Sequence, residues 1–189
     1  MGYNNDNQKI LSMEPKELMT KRRIEHIARD YESYETVHSF SDPKDGSYEV
    51  FVSHSSADNE FIRKVLLFLR YAKGGVQGYV DWQDPKMQHP TDVETAKRLK
   101  DRIKRAKKLI YVVTNDSLKS VWCSWELGFA DCDKGVEDVA LLAIKPNNGR
   151  WKHNEYLQQY PCISYENSLF RVTMPDGYSM PLYDWLTNK

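Results

Sequence analysis

Net charge, long apolar runs and paired cysteines are all missing from this sequence, and each absence removes a class of function. With 27 Lys and Arg against 27 Asp and Glu the formal net charge is zero, so no global field draws the chain to nucleic acid or to an anionic membrane. No apolar run approaches the roughly 20 residues that cross a bilayer, and the opening MGYNNDNQKI is polar where a secretory signal is apolar. Gly2 follows Met1, but Asp6 stands where a myristoylation signal needs Ser or Thr. The three cysteines, Cys123, Cys132 and Cys162, are odd in number, form no CxxC pair and have no His at ligand spacing. Neither a disulfide framework nor a zinc site is expected, and no metal is assigned. Neither GxGxxG nor GxxxxGK(S/T) follows a strand, which disfavours a standard dinucleotide or P-loop phosphate cradle. The expectation is a soluble, cytoplasmic protein with reduced thiols.

What is present is a chain of 189 residues, 40% hydrophobic, long enough to bury the core of one domain with an appended segment. Residues 1 to about 13 are polar. From Glu14 to about Tyr34, the apolar residues Leu18, Ile24, Ile27, Ala28, Tyr31 and Tyr34 recur at helical spacing, with Pro15 in the first turn. That pattern predicts an amphipathic helix, whose tyrosine-rich stripe fits either the rest of the chain or a second copy of it. The run HSFSDPKDGS, His38 to Ser47, reads as a linker. Residues 1–47 therefore form a tail, helix and linker, and residues 48–189 the main domain.

From Tyr48 strands and helices alternate. Strands are expected at Tyr48–Ser53 (YEVFVS), Gly78–Trp82 (GYVDW), Leu109–Thr114 (LIYVVT), Val139–Ile144 (VALLAI) and in the short CISY run from Cys162. Ile62, Val65, Leu66 and Leu69 mark one intervening helix, ended by Gly74-Gly75. Ala96, Leu99, Ile103 and Ala106 mark a second, behind the capping-box pattern Thr91 to Glu94, and Lys119–Asp131 forms a third. Beyond Lys145 the rhythm weakens. EYLQQY is a helical turn stopped by Pro161, Pro175-Asp176-Gly177 is a turn, and PLYDWL docks through Leu182, Trp185 and Leu186. The alternation implies an α/β fold with a five-stranded parallel sheet covered by helices on both faces.

In such sheets ligands bind beyond the carboxyl ends of the strands, where strand order reverses. That rule gathers Ser53, His54, Ser55 and Ser56, then Asp81, Trp82, Gln83 and Asp84, then Thr114, Asn115 and Asp116, together with the helix bearing Glu126. Three and four positions from Glu126 lie Trp122, Cys123, Phe129 and Ala130, its apolar neighbours on a helix. Desolvation raises the pKa of a carboxyl so placed, which makes it a functional candidate. On periodicity alone, a structural acid paired with a cation from another element fits equally well. Trp82 and Trp122 also fit a core, and His54 fits a loop cap. Cys123 reads as a packed thiol, since no base is placed beside it. The basic run from Lys97 to Lys108 reads as a solvated helix face, because Asp101 interrupts it and its apolar positions face inward.

Four segments in order, FVSHSSAD, YVDWQDP, TAKRLKDRI and SVWCSWELGFAD, resemble bacterial Toll/interleukin-1 receptor (TIR) domains. EYLQQYP and GYSMPLYDWL are similar to the C-terminal part of a stand-alone bacterial TIR subfamily of the Thoeris type. The resemblance runs from about Tyr48 to the C-terminus and implies a flavodoxin-like fold. It also implies an enzyme, because many TIR domains use a glutamate on this helix to cleave NAD+ at the nicotinamide N-glycosidic bond. Here that glutamate is Glu126. Nicotinamide is already a cationic leaving group, so its departure needs no general acid, and what remains to be supplied is a carboxylate that supports the oxocarbenium-like ribose. On this reading Glu126 is catalytic, and Ser53, His54, Ser55, Asp81, Trp82 and Trp122 bind the substrate. Trp122 stacks, Trp82 and Asp81 form the opposite wall, and Ser53 to Ser55 donate to phosphate or ribose.

The resemblance implies no cofactor, with NAD+ as substrate. Its implied product is an ADP-ribose-derived signal, a cyclic isomer or a conjugate, made in antiphage defence and read by a separate effector. Self-association through the TIR domain is implied, and neither nucleic acid nor membrane is a partner. Two features depart from the family pattern. The loop from Gln83 to Thr91 holds Pro85 and Pro90 and no glycine, unlike the family's mobile gating loop, and the N-terminal helix lies outside the family core. Two other readings stand beside the enzyme: a non-catalytic TIR scaffold acting by homotypic assembly, and an enzyme using the same glutamate on another N-glycoside.

Overall fold

The two most apolar stretches of the chain lie at the centre of one sheet, where both faces are covered. The computed structural model describes residues 19–32, 48–71, 78–81, 93–145, 155–167 and 169–188. In chain order these carry β1 (Met19–Thr20), α1 (Lys21–Glu32), β2 (Tyr48–Ser53), α2 (Asn59–Tyr71), β3 (Gly78–Tyr79), α3 (Val93–Arg105) and β4 (Ala106–Val113). There follow α4 (Val121–Lys134), β5 (Val139–Lys145), β6 (Cys162–Glu166), β7 (Leu169–Thr173), β8 (Ser179–Pro181) and α5 (Leu182–Thr187).

The sheet runs β3-β2-β4-β5-β6-β7-β8, and β1 pairs with β5 off this path. Strands β3, β2, β4, β5 and β6 are parallel, as the alternation of strands and helices requires. Their spatial order, second-first-third-fourth-fifth, is the flavodoxin-like one, and strand order reverses between β2 and β4. Side chains alternate between faces. Val50, Val52, Ile110, Val112, Ala140 and Leu142 meet Ile62, Val65, Phe68 and Leu69 of α2 on one face. Phe51, Leu109, Tyr111, Val113 and Leu141 meet α3 and α4 on the other, through Leu99, Ile103, Cys123, Leu127 and Ala130.

Several expectations change. The helix predicted from Glu14 begins at Lys21; Met19 and Thr20 instead pair with Ile144 and Lys145 as a short parallel strand. Thr20 Oγ1 accepts from the Arg23 N–H at 3.1 Å, a local bond that suits a helix start. Ile24 and Ala28 are fully buried and α1 packs on α2, so this part of the stripe faces its own domain. Ala106, expected in a helix, opens β4. The basic run is not wholly solvated, because Arg102 and Lys108 are buried. Arg102 lies 5.8 Å from the centre of the Tyr79 ring, and Lys108 pairs with Asp138. The C-terminal segments add β7 and β8 antiparallel to the parallel core. Gly74-Gly75, the Thr91 cap, Trp82 and the linker from His38 to Ser47 lie outside the described residues.

Leu182, Trp185 and Leu186 dock α5 into the core as the sequence predicts. Trp185 is 2% exposed, its indole Nε1 donates to Glu137 O at 2.8 Å, and the Lys108 ammonium sits 5.2 Å from its ring. Trp185→Ala should therefore lower the unfolding free energy by about 3–5 kcal/mol in a urea titration. Trp185→Phe, which keeps most of the ring volume but loses the donor, should lower it by about 1–2 kcal/mol.

Candidate active site

The reversal point between β2 and β4 brings Ser53, the last residue of β2, beside Tyr111 of β4. Beyond β4 the chain turns through a 3-10 segment, Ser117–Lys119, into α4. Ser120 caps that helix, its Oγ accepting from the Cys123 N–H at 3.3 Å. The cap fixes the phase of α4, and Cys123, Glu126, Leu127 and Ala130 are the residues it buries.

Glu126 is 6% exposed. Ser53 Oγ donates to its Oε2 at 2.6 Å. Burial pushes the carboxyl up to about 8; the Ser53 bond pulls it back down, and the nearby negative charge of Asp81 raises it further. Among the described residues no lysine or arginine stands among the causes of this shift. Cys123 is 1% exposed, and burial pushes its thiol up to about 11. It is a packing thiol rather than a nucleophile.

The other candidates divide. Asp81 stands about half exposed just beyond β3, close enough for its charge to act on both Glu126 and Cys123. Trp122 is partly buried one turn before Glu126 and meets Trp125 edge-on at 5.5 Å, and Trp125 stacks on Phe129 at 5.8 Å. The His54 ring is engaged by its own loop. Its Nδ1 lies 3.0 Å from Val52 O, and its Nε2 lies 3.2 Å from Asn59 Oδ1 and 3.9 Å from Asp81 Oδ1. Ser55 Oγ accepts from the Ala57 N–H at 3.3 Å and caps the turn Ser56–Asp58. Trp82 lies outside the described residues.

Two residues escaped the sequence reading. Tyr111, fully buried beneath α4, has its phenol pKa raised by that burial; strand alternation could have found it, since it is the cross-strand partner of Ser53. Asp58, 4% exposed, accepts from Thr114 Oγ1 at 2.6 Å. Nothing local in the sequence distinguishes it from a surface aspartate near a helix start.

The site is a recessed, acidic spot without a protein cation among the described residues. A cationic ligand, or a set of hydroxyl donors, would bring Glu126 into its charged form. The same burial makes a stability prediction. Folded Glu126 holds its proton to about pH 8, whereas an unfolded glutamate gives it up near 4.5. Between those values the folded state binds the extra proton, so stability falls as pH rises across the window. Glu126→Gln removes that titration. Its unfolding free energy should exceed that of wild type by several kcal/mol at about pH 8, and the gap should close towards pH 4.5. Equal denaturant midpoints at both pH values would contradict the buried, protonated state.

A family model for the TIR domain matches residues 50–170. The chain is 35% identical over 126 residues to the probable 3' cyclic ADP-D-ribose synthase ThsB' of Bacillus cereus strain MSX-D12, covering 64% of this chain and 63% of that protein. It is 33% identical over 86 residues to a Cytobacillus dafuensis protein provisionally named cyclic ADP-D-ribose synthase TIR2, covering 44% of this chain and 22% of that one. The chain thus spans less than two thirds of the length of either relative. Among solved structures, the TIR domain of the Toll-related receptor TRR-2 from Hydra magnipapillata aligns with a TM-score of 0.43 and 19% identity, over 56% of this chain and 77% of that one. Because the matched stretch takes in nearly all of β2, the strands β3 to β6 and the helix that carries Glu126, this chain belongs to the TIR domain family.

Proposed function

We propose that this chain is an NAD+-cleaving TIR enzyme in which Glu126 is the catalytic carboxylate. The observation that carries the reading is a buried glutamate, bonded to Ser53 at 2.6 Å, at the point where strand order reverses. The names of the relatives support it, since one is named a probable 3' cyclic ADP-D-ribose synthase and the other provisionally a cyclic ADP-D-ribose synthase. NAD+ presents a cationic nicotinamide ring next to ribose hydroxyls, the two features that stabilise an ionised Glu126. Its C1'–N bond breaks with the electron pair going to nicotinamide, which leaves neutral, while positive charge develops on the ribose. Glu126 faces that charge in a site with little water, where its field is strongest. Capture of C1' by water gives ADP-ribose, and capture by a group of the same molecule gives a cyclic isomer.

On this reading Ser53, Asp81 and Trp122 contact the substrate, and Trp82 joins them. His54 and Ser55 hold the loop that presents Ser53. NAD+ is consumed as substrate, and no cofactor takes part. The product is a signal for a separate effector in cytoplasmic antiphage defence, with the enzyme self-associating through its TIR domain. Among the described residues no helix is long and apolar enough to cross a membrane.

Wild type and Glu126→Gln incubated with NAD+ at low and high protein concentration, with nicotinamide and ADP-ribose species followed by chromatography, test the reading. Wild type should release nicotinamide together with a cyclic product, and Glu126→Gln should lose about a thousandfold or more. Equal release by both would remove Glu126 from the chemistry. Silence from wild type, including in lysate of phage-infected cells, would favour the scaffold.

A pH profile gives a second check. The active form is the carboxylate, so kcat/KM should rise with pH through a midpoint near the free-site value of about 8 and then level off. In Ser53→Ala the midpoint should move higher, because the lost bond is the one that lowers it.

A further inference from the structure

The two loops flanking the reversal point are tied together by Asp58, which is held in turn by a residue from outside the family-matched stretch. Asp58 ends the turn after β2, and both of its carboxylate oxygens are engaged by other elements. Thr114 Oγ1, just past β4, donates to Oδ2 at 2.6 Å, and Lys21 Nζ donates to Oδ1 at 2.7 Å. Thr114 is in turn locked to the approach to α4. Its N–H donates to Ser117 Oγ at 2.8 Å, and its Oγ1 accepts from the Ser117 N–H at 3.1 Å. Lys21 opens α1 directly after β1, which pairs with the C-terminal end of β5. Its ammonium also lies 5.1 Å from the Phe61 ring centre. The family match begins at residue 50, so Lys21 belongs to the segment that precedes it.

Asp58 is 4% exposed. A carboxylate so far from water needs its donors, and removal of one leaves a buried charge that the surrounding loop relieves by shifting towards solvent. One of the affected loops starts at Ser53, which bonds Glu126. The other leads through Ser120 into the helix carrying Glu126.

We propose that Lys21 is a positioning residue for the candidate site: docked by β1 and α1, it holds Asp58 and, through Asp58, both loops that set the Ser53–Glu126 geometry. The N-terminal segment is then a working part of the site. The kinetic consequence rests on the NAD+ reading, whereas the structural one does not.

The test is Lys21→Met, which keeps the aliphatic stem and removes the cation. The Lys21 side chain is 38% exposed, so the fold tolerates the change. Amide hydrogen exchange is followed by mass spectrometry in peptides covering 53–58 and 114–120, with β4 and β5 as internal controls, beside nicotinamide release from NAD+. Exchange in both loops should quicken about tenfold while the central strands stay unchanged, and kcat should fall about tenfold with KM little altered. Lys21→Arg should restore both. Introduced into Asp58→Asn, Lys21→Met should add little; if Asp58→Asn does not fold, the single variant decides.

A lowered thermal midpoint with loop exchange and kcat unchanged would overturn the proposal and leave Lys21 as a stabilising ion pair. Quickened loop exchange in Lys21→Met, with wild type itself inert towards NAD+, would support the positioning role and count against the NAD+ reading.

Discussion

A carboxyl withdrawn from water, with a serine hydroxyl as its hydrogen-bond partner, is the constraint around which this fold is arranged. Glu126 lies where α4 presses on the sheet, and burial alone accounts for most of its reluctance to ionise. Charging it in place would cost several kcal/mol unless something answered the charge. The common answer in a protein interior is a lysine or arginine. Among the described residues the charge that acts on it is that of Asp81, of the same sign. The site therefore favours the neutral acid, and on the proposed reading an arriving cation draws out its charged form. Groups that serve stability alone are rarely arranged this way, whereas functional sites are where such unfavourable placements persist.

The rest of the molecule makes that placement rigid. β2 and β4 fix Ser53 opposite Tyr111 through a run of paired residues from Tyr48 to Ser53, so the donor to Glu126 sits where the strand passes into its loop. The Ser120 cap sets the rotation of α4. The His54 ring, held between Val52 O and Asn59, fastens the first loop to the start of α2. Two faces of the sheet are packed independently, one by α1, α2 and α5 and the other by α3 and α4. The strand ends between them carry the candidate site, at the point where strand order reverses.

What the sequence disclosed follows from the range of each interaction. β4 and β5 were legible because strands covered on both faces are apolar throughout, a property that needs no partner to be recognised. The apolar setting of Glu126 was legible because helical neighbours are three and four residues away. That Ser53 and Glu126 share a rim followed from topology, but the bond between residues 73 positions apart did not. His54 could be placed at the rim, while the turn of its ring depends on a carbonyl that periodicity does not locate. Met19–Thr20 is too short to show a period. The basic run misled for the same reason: Arg102 and Lys108 are buried by Tyr79, Asp138 and Trp185, all distant in sequence or on other elements.

A glutamate that binds its proton with a pKa of about 8 has a further consequence for the proposed reaction. Substrate binding brings a positive ring to the site, so Glu126 gives its proton to solvent and becomes the carboxylate. When the C1'–N bond breaks, the positive charge passes from nicotinamide to the ribose, and the carboxylate faces a cation before and after the step. The nucleophile that then adds, a hydroxyl or water, must lose a proton as its bond to C1' forms. With that bond the last positive charge disappears, and the buried carboxylate regains its affinity for a proton at the moment one is released. Glu126 then returns to the neutral acid of the empty site. Its raised pKa therefore serves both halves of the cycle, holding the charge while a cation is present and taking the proton once the cation is gone.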